Sequence, residues 1–144
     1  MRLAITDANI FIDLFYLKIT DFLFRINCEV HTTHQVILEL EEQHQEELKA
    51  MKDSGLLNIQ TVEVEDINNS KDLHAAKGLS MSDKSVLLLA DKINGMVLSG
   101  DDLVRKTCKR IKIEVHGILW LIDQFVQNAL ITNADACAAL KDLM

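Results

Sequence analysis

The chain has 144 residues, 49% of them hydrophobic and 26% charged, enough apolar material for one domain with a real core and too much for a disordered segment. Fifteen Lys and Arg stand against 22 Asp and Glu, a net charge of −7, which argues against a protein that holds nucleic acid through a broad cationic surface. Without a single Pro and with only five Gly, the sequence offers no linker, low-complexity tract or internal repeat, so one domain over residues 1–144 is expected.

Arg2 to Thr6 is short and apolar and ends in Asp7-Ala8-Asn9, which reads as a buried first strand followed by a turn. The acid at Asp7 comes too early for a signal-peptide core, and no apolar run reaches the ~20 residues that a bilayer span needs; a soluble, cytoplasmic protein is expected. Ile10 to Leu17 has its apolar residues at helical spacing, and Thr20 to Phe24 predicts another helical turn capped by Thr20. A second strand is expected over Glu29 to Thr32.

His34 to Lys52 predicts one long helix, with Val36, Leu40 and Leu48 on its inner face and Glu41, Glu42, Glu46 and Glu47 mostly in solvent; Ser54-Gly55 stops it. That acidic run is also suited to a basic partner segment. Leu57 to Val62 alternates with period two, a third strand near the sheet edge. Asp66 to Lys77 reads as a helix ended by Gly78, and Ser80 or Ser82 caps the next, through Val86 to Ile93. Asn94-Gly95 turns the chain into a fourth strand, Met96 to Ser99. A helix over Asp102 to Arg110, a fifth alternating strand over Ile111 to Val115, an apolar helix from Ile118 and an Ala-rich helix from Asn133 complete the chain. Strands alternating with helices predict right-handed crossovers onto a mostly parallel sheet.

Four carboxylates lie just past, or one turn into, apolar segments: Asp7, Glu39, Asp83 and Asp101. In a parallel α/β sheet the carboxyl ends of the strands share one edge, where ligands bind. Acids gathered there repel one another unless a cation holds them, and hard divalent ions prefer oxygen donors. Taken one at a time, each is more simply a helix cap or a solvated turn. Their order and joint placement point to a metal site.

On these residues the chain resembles the PIN domain family, metal-dependent ribonucleases that include the toxin halves of many bacterial toxin–antitoxin pairs. The matching stretches are Ile5-Thr6-Asp7-Ala8-Asn9, Val36-Ile37-Leu38-Glu39-Leu40, Ser82-Asp83 leading Leu87-Leu88-Leu89-Ala90, and Val97-Leu98-Ser99-Gly100-Asp101-Asp102; Ile113 to Leu121 is similar to the family's last strand and helix. The resemblance spans residues 2 to 122. It implies a three-layer α/β/α sandwich around a mostly parallel five-stranded sheet. It also implies an endoribonuclease that hydrolyses RNA phosphodiester bonds with Mg²⁺ or Mn²⁺ and leaves a 5′ phosphate. Asp7, Glu39, Asp83 and Asp101 would be both catalytic and metal-binding, with Asn9, Ser99 and Asp102 orienting the site. Asp102, doubled with Asp101, departs from the family pattern; its simpler role is to favour the helix N-terminus through the dipole. A toxin setting, an antitoxin protein as partner and a homodimer follow from the same resemblance.

Lys84, Arg105 and Lys106 adjoin the acids and are candidates for substrate phosphate, against the plainer reading of solvated helix cations; Arg105 is also spaced for an ion pair with Asp101. His31 and His34 lack the further ligands of a zinc site, and His116 is more simply a turn residue. Cys28, Cys108 and Cys137 show no paired spacing and read as buried thiols in a reducing compartment. Trp120 reads as core. Phe11, Phe15, Phe22 and Phe24 are either core or the apolar surface of a dimer. Two other functional classes stay open: a PIN-fold module that docks nucleic acid or protein with little or no catalysis, and a receiver- or dehalogenase-like phosphotransfer domain. The last fits less well, because Asn9 stands where a dehalogenase has its second Asp.

Overall fold

The computed structural model describes residues 1–74 and 77–144. Its centre is a five-stranded sheet in the order β3-β2-β1-β4-β5: β1 Arg2–Thr6, β2 Cys28–Thr33, β3 Leu57–Gln60, β4 Met96–Leu98 and β5 Val115–His116. Every pairing is parallel, with Ala4 opposite both Val30 and Met96. The sheet is thus wholly rather than mostly parallel. Parallel strands need long right-handed crossovers. From β1 the chain steps through β2 to β3 in one direction, then returns to β4 and continues to β5 in the other, which puts helices on both faces. The reversal leaves a switch point between β1 and β4, where such folds form a crevice.

The central strands are apolar on both faces because both are covered. Ala4, Ile5, Val30, Met96, Val97 and Leu98 are buried with Phe11, Leu14, Val86, Leu87 and Phe125 from the helices. Phe11 is therefore core, and Phe15, Phe22 and Phe24 are half-buried against that core, so these four do not form a free apolar surface. On α1 (Ala8–Leu17) the exposed apolar residues are instead Ile12 and Tyr16. Cys108 is buried, whereas Cys28 is half-buried and Cys137 exposed, so three buried thiols is incorrect.

Helix boundaries depart from the sequence expectations in instructive places. α2 is Thr20–Leu23, and Thr20 is its first residue rather than its cap, with a buried hydroxyl that makes no hydrogen bond among the described residues. The helix expected from His34 to Lys52 is broken into α3 (His34–Leu38) and α4 (Glu42–Asp53). Glu41 is extended at ψ 148°, Leu40 is buried, and Gln45 Nε2 donates to the Leu40 carbonyl at 2.8 Å. Continuous periodicity concealed the break because Leu40 is buried either way. Likewise 66–77 is not one helix: α5 is Val64–Asn69 and α6 Lys71–His74, with the stretch at 75–76 outside the described residues.

The helix α7 (Met81–Ile93) is capped by Ser80, not Ser82, and ends at Asn94 in the left-handed conformation at φ 56°. Gly95 must then be glycine, because a Cβ there would sit 2.4 Å from Ile5 Cδ1 and 3.1 Å from the Leu3 carbonyl oxygen. α8 is Asp102–Arg110, α9 Ile118–Gln127 and α10 Asn133–Leu143. The fifth strand is only two residues long: Ile111 caps α8 and Lys112 takes φ 63°, so the alternating Ile111 and Ile113 do not join the sheet. Among the described residues, no helix is long and apolar enough to cross a membrane.

Candidate active site at the switch point

Three aspartates at the carboxyl edge each accept a backbone amide at a helix N-terminus, two as the cap residue and one from inside the first turn. Asp7 directly follows β1 and caps α1, its Oδ1 accepting the Ile10 amide at 3.0 Å. Asp101 follows β4 after two intervening residues and caps α8, its Oδ1 accepting the Val104 amide at 2.9 Å. Asp83 is the third residue of α7 and completes a capping box, its Oδ2 accepting the Ser80 amide at 3.2 Å while Ser80 Oγ accepts the Asp83 amide at 3.1 Å. The modest reading of each acid, a helix cap, is therefore correct. It does not account for the three being together. A carboxylate has about four lone-pair sites, so one amide leaves room for a cation.

Asp7 is 3% exposed. Burial pushes its carboxyl up to about 6, opposed by hydrogen bonds from Ser99 and Ile10 and reinforced by the charges of Asp83 and Asp101. Asp83 is raised too, first by burial, then by Asp101 and Glu39 against the Ser80 bonds. The four acids thus lie within electrostatic reach of one another, directly or through Asp83. Among the described residues, no Lys or Arg forms a salt bridge with any of them. Among those residues, too, no three His, Cys, Asp or Glu side chains are closed into a group that could hold a metal as they stand.

Hydroxyl groups supply the scaffolding between the acids. Ser99 is fully buried; its Oγ accepts the Asp101 amide at 3.1 Å and its side chain hydrogen-bonds the Asp7 carboxyl, so one hydroxyl joins the two acids across the switch point. Glu39 is the exposed C-cap residue of α3, and Ser82 donates to its Oε1 at 2.7 Å. Behind them Ser85 donates to the Ser82 carbonyl at 2.6 Å and shares a 2.7 Å hydrogen bond with Thr33, whose Oγ1 also accepts the Val36 amide at 3.2 Å to cap α3. Thr33, Ser82 and Ser85 were not singled out as site-supporting by sequence. The legible signal was that Ser82 and Ser85, three apart, share a buried helix face with Val86 and Leu89.

The remaining candidates divide. Asn9 is exposed on the first turn of α1, and Asp102 is exposed on the first turn of α8. Lys84 is half-buried, Lys106 exposed. Arg105 makes no ion pair with Asp101; its guanidinium lies 3.5 Å from the Ser99 carbonyl oxygen instead. His116 stacks on Trp120 with centroids 4.2 Å apart and pairs with Glu114 at 2.7 Å. His31 pairs with Glu29 at 2.8 Å, not with His34.

A wholly parallel sheet covered by helices on both faces, with acids at the carboxyl edge of its switch point, defines a doubly wound α/β fold. The chain belongs to the PIN domain family, whose DUF3368 model matches residues 3–144. PIN domains are generally nucleases and typically use divalent metal ions. Among solved structures, the chain is similar to a PilT N-terminus domain protein from the hyperthermophilic archaeon Sulfolobus solfataricus P2, at 12% identity and a TM-score of 0.49, over 88% of this chain and 92% of that one. No curated protein matches significantly.

Proposed function

We propose that the protein is an endoribonuclease in which Asp7, Glu39, Asp83 and Asp101 hold Mg²⁺ or Mn²⁺. What supports this reading is that buried Asp7 feels the charges of Asp83 and Asp101, and Asp83 those of Asp101 and Glu39, with no protein cation paired to any of the four among the described residues. The parallel topology itself brings these helix N-termini to one edge; what capping does not require is that the acids there raise one another's carboxyls with no cation between them. The all-oxygen donor set fits a hard divalent ion. When bound, such an ion supplies Lewis-acid activation of water and neutralises charge at the phosphate.

The chain's own residues supply the rest. Asp7 and Asp101 are held in fixed register by Ser99, and Glu39 is anchored by Ser82, so the ligands are ordered before the ion arrives. Lys84 and Arg105 take the phosphate oxygens of the substrate strand. RNA as substrate, and products carrying a 5′ phosphate, are carried over from the family resemblance.

The test is incubation of the purified protein with single-stranded RNA, in chelator and in Mn²⁺, alongside Asp83→Asn. Cleavage only with Mn²⁺, lost in the variant, is the expected outcome. RNA binding without cleavage under any divalent ion would favour the docking-module reading, and cleavage unaffected by Asp83→Asn would remove the site.

A further inference from the structure

Gly117 stands between β5 and α9, at the same carboxyl edge as the acids. Its φ of −103° is open to any residue, so no backbone strain calls for glycine here. What calls for it is space. A Cβ at position 117 would lie 2.5 Å from Arg105 Nη1 and 3.7 Å from the Ser99 carbonyl oxygen. The guanidinium therefore occupies the volume that any other side chain would take. It rests against the carbonyl of the residue whose hydroxyl holds Asp7.

Three features make this more than packing. Arg105 lies one turn into α8, four residues from Asp101 and well placed for an ion pair, yet makes none within 4.0 Å among the described residues. A guanidinium carries five N–H donors in a fixed fork, and a single long contact to one carbonyl leaves most of them unused. Finally, the side chain is half-buried rather than free in solvent, so its direction is set by its surroundings.

We propose that Gly117 is a positioning residue: by withholding a side chain it seats the Arg105 guanidinium beside Ser99, where the free donors grip a non-bridging phosphate oxygen of a single-stranded RNA. This rests on the nuclease reading above and adds to it a determinant of substrate binding on a different strand end from the four acids.

The experiment measures binding of a fluorescein-labelled single-stranded RNA oligomer by anisotropy, over a range of salt, in the Asp83→Asn background that blocks turnover. Gly117→Ala, Arg105→Ala, Arg105→Lys and the double Ala variant are compared with that parent. Since the atom displaced is the end of a flexible side chain, Gly117→Ala is expected to fold, with circular dichroism as the check. Each Ala variant should weaken binding about 5- to 20-fold and flatten the slope of log K against log salt by about 0.7, the loss of one phosphate contact on a single strand. The double variant should bind no more weakly than Arg105→Ala, because both changes remove one contact. Arg105→Lys should keep the salt slope and lose part of the affinity.

A Gly117→Ala protein with parental affinity and slope, or effects that add in the double variant, would overturn the seating. If Gly117→Ala does not fold, Arg105→Ala carries the test through its slope: an unchanged slope overturns the phosphate contact. Failure of the parent itself to bind RNA would instead overturn the nuclease reading beneath it.

Discussion

Ser82 donates its hydroxyl proton to Glu39 Oε1 across 2.7 Å, tying the first turn of α7 to the end of α3. Glu39 is exposed and would otherwise be free to rotate, so this bond fixes an acid that the backbone alone leaves loose. Ser82→Ala should raise the Mn²⁺ concentration for half-maximal RNA cleavage by about tenfold, the usual scale for removing a group that orients a ligand. The rate at saturating Mn²⁺ should change little. A titration of activity against Mn²⁺ checks both.

Asp7 gives the metal-free protein a characteristic pH dependence. Its carboxyl, ordinarily near 3.8, is pushed up to about 6 in the folded state, chiefly by burial. The folded protein therefore holds this proton more tightly than the unfolded chain does. Stability from Asp7 is fully present below about pH 4 and is lost as pH rises to about 6, by at most ~3 kcal/mol. Asp7→Asn keeps a side chain that caps well and removes the buried charge. Urea melts in chelator should show the variant more stable than wild type at pH 7.5, with the gap closing at pH 4.

Asp101 and Asp102 are adjacent in sequence and unequal in structure. Asp101 caps α8 and shares Ser99 with Asp7, whereas Asp102 is exposed on the helix's first turn. Asp101→Asn should cut Mn²⁺-dependent cleavage by at least about a hundredfold, a rise of ~3 kcal/mol in the barrier. Asp102→Asn should cost only a few tenths of a kcal/mol of stability, through the dipole, and leave cleavage within about twofold. Side-by-side single-turnover assays distinguish the two.

Gly95 eases the turn into β4, because Ile5 Cδ1 and the Leu3 carbonyl oxygen crowd the place a Cβ would take. Gly95→Ala should destabilise the protein by about 2 kcal/mol through overpacking and strand displacement. A lowered Tm, with Mn²⁺ affinity retained at temperatures below it, is the expected result.

The alternation of strands and helices was legible because each buried strand is a short apolar run and most helices carry a cap or stop, as at Asn94-Gly95 and Ser54-Gly55. The break at Glu39–Glu41 was not, because an apolar period continues through Leu40 whether or not the backbone does. β5 was overestimated for a related reason: Ile111, Ile113 and Val115 alternate, yet the left-handed Lys112 keeps the first two out of the sheet. At the site, Asp7 and Asp101 follow strand ends and Asp83 opens a helix, as the sequence pattern indicates, whereas Glu39 closes α3 rather than lying within a longer helix. The hydroxyl supports of these acids were not legible, since Thr33 meets Ser85 only through a contact 52 residues apart. The space between Gly117 and Arg105 is likewise a property of two elements brought side by side by the sheet.

Calorimetric titration of Mn²⁺ into the chelator-stripped protein and into Asp7→Asn, Asp83→Asn and Asp101→Asn tests the site most directly. Saturable binding by wild type, weakened at least tenfold in each variant while the folds persist, is the predicted result. Wild type that takes up no Mn²⁺, or variants that bind it as tightly as wild type, would contradict the account.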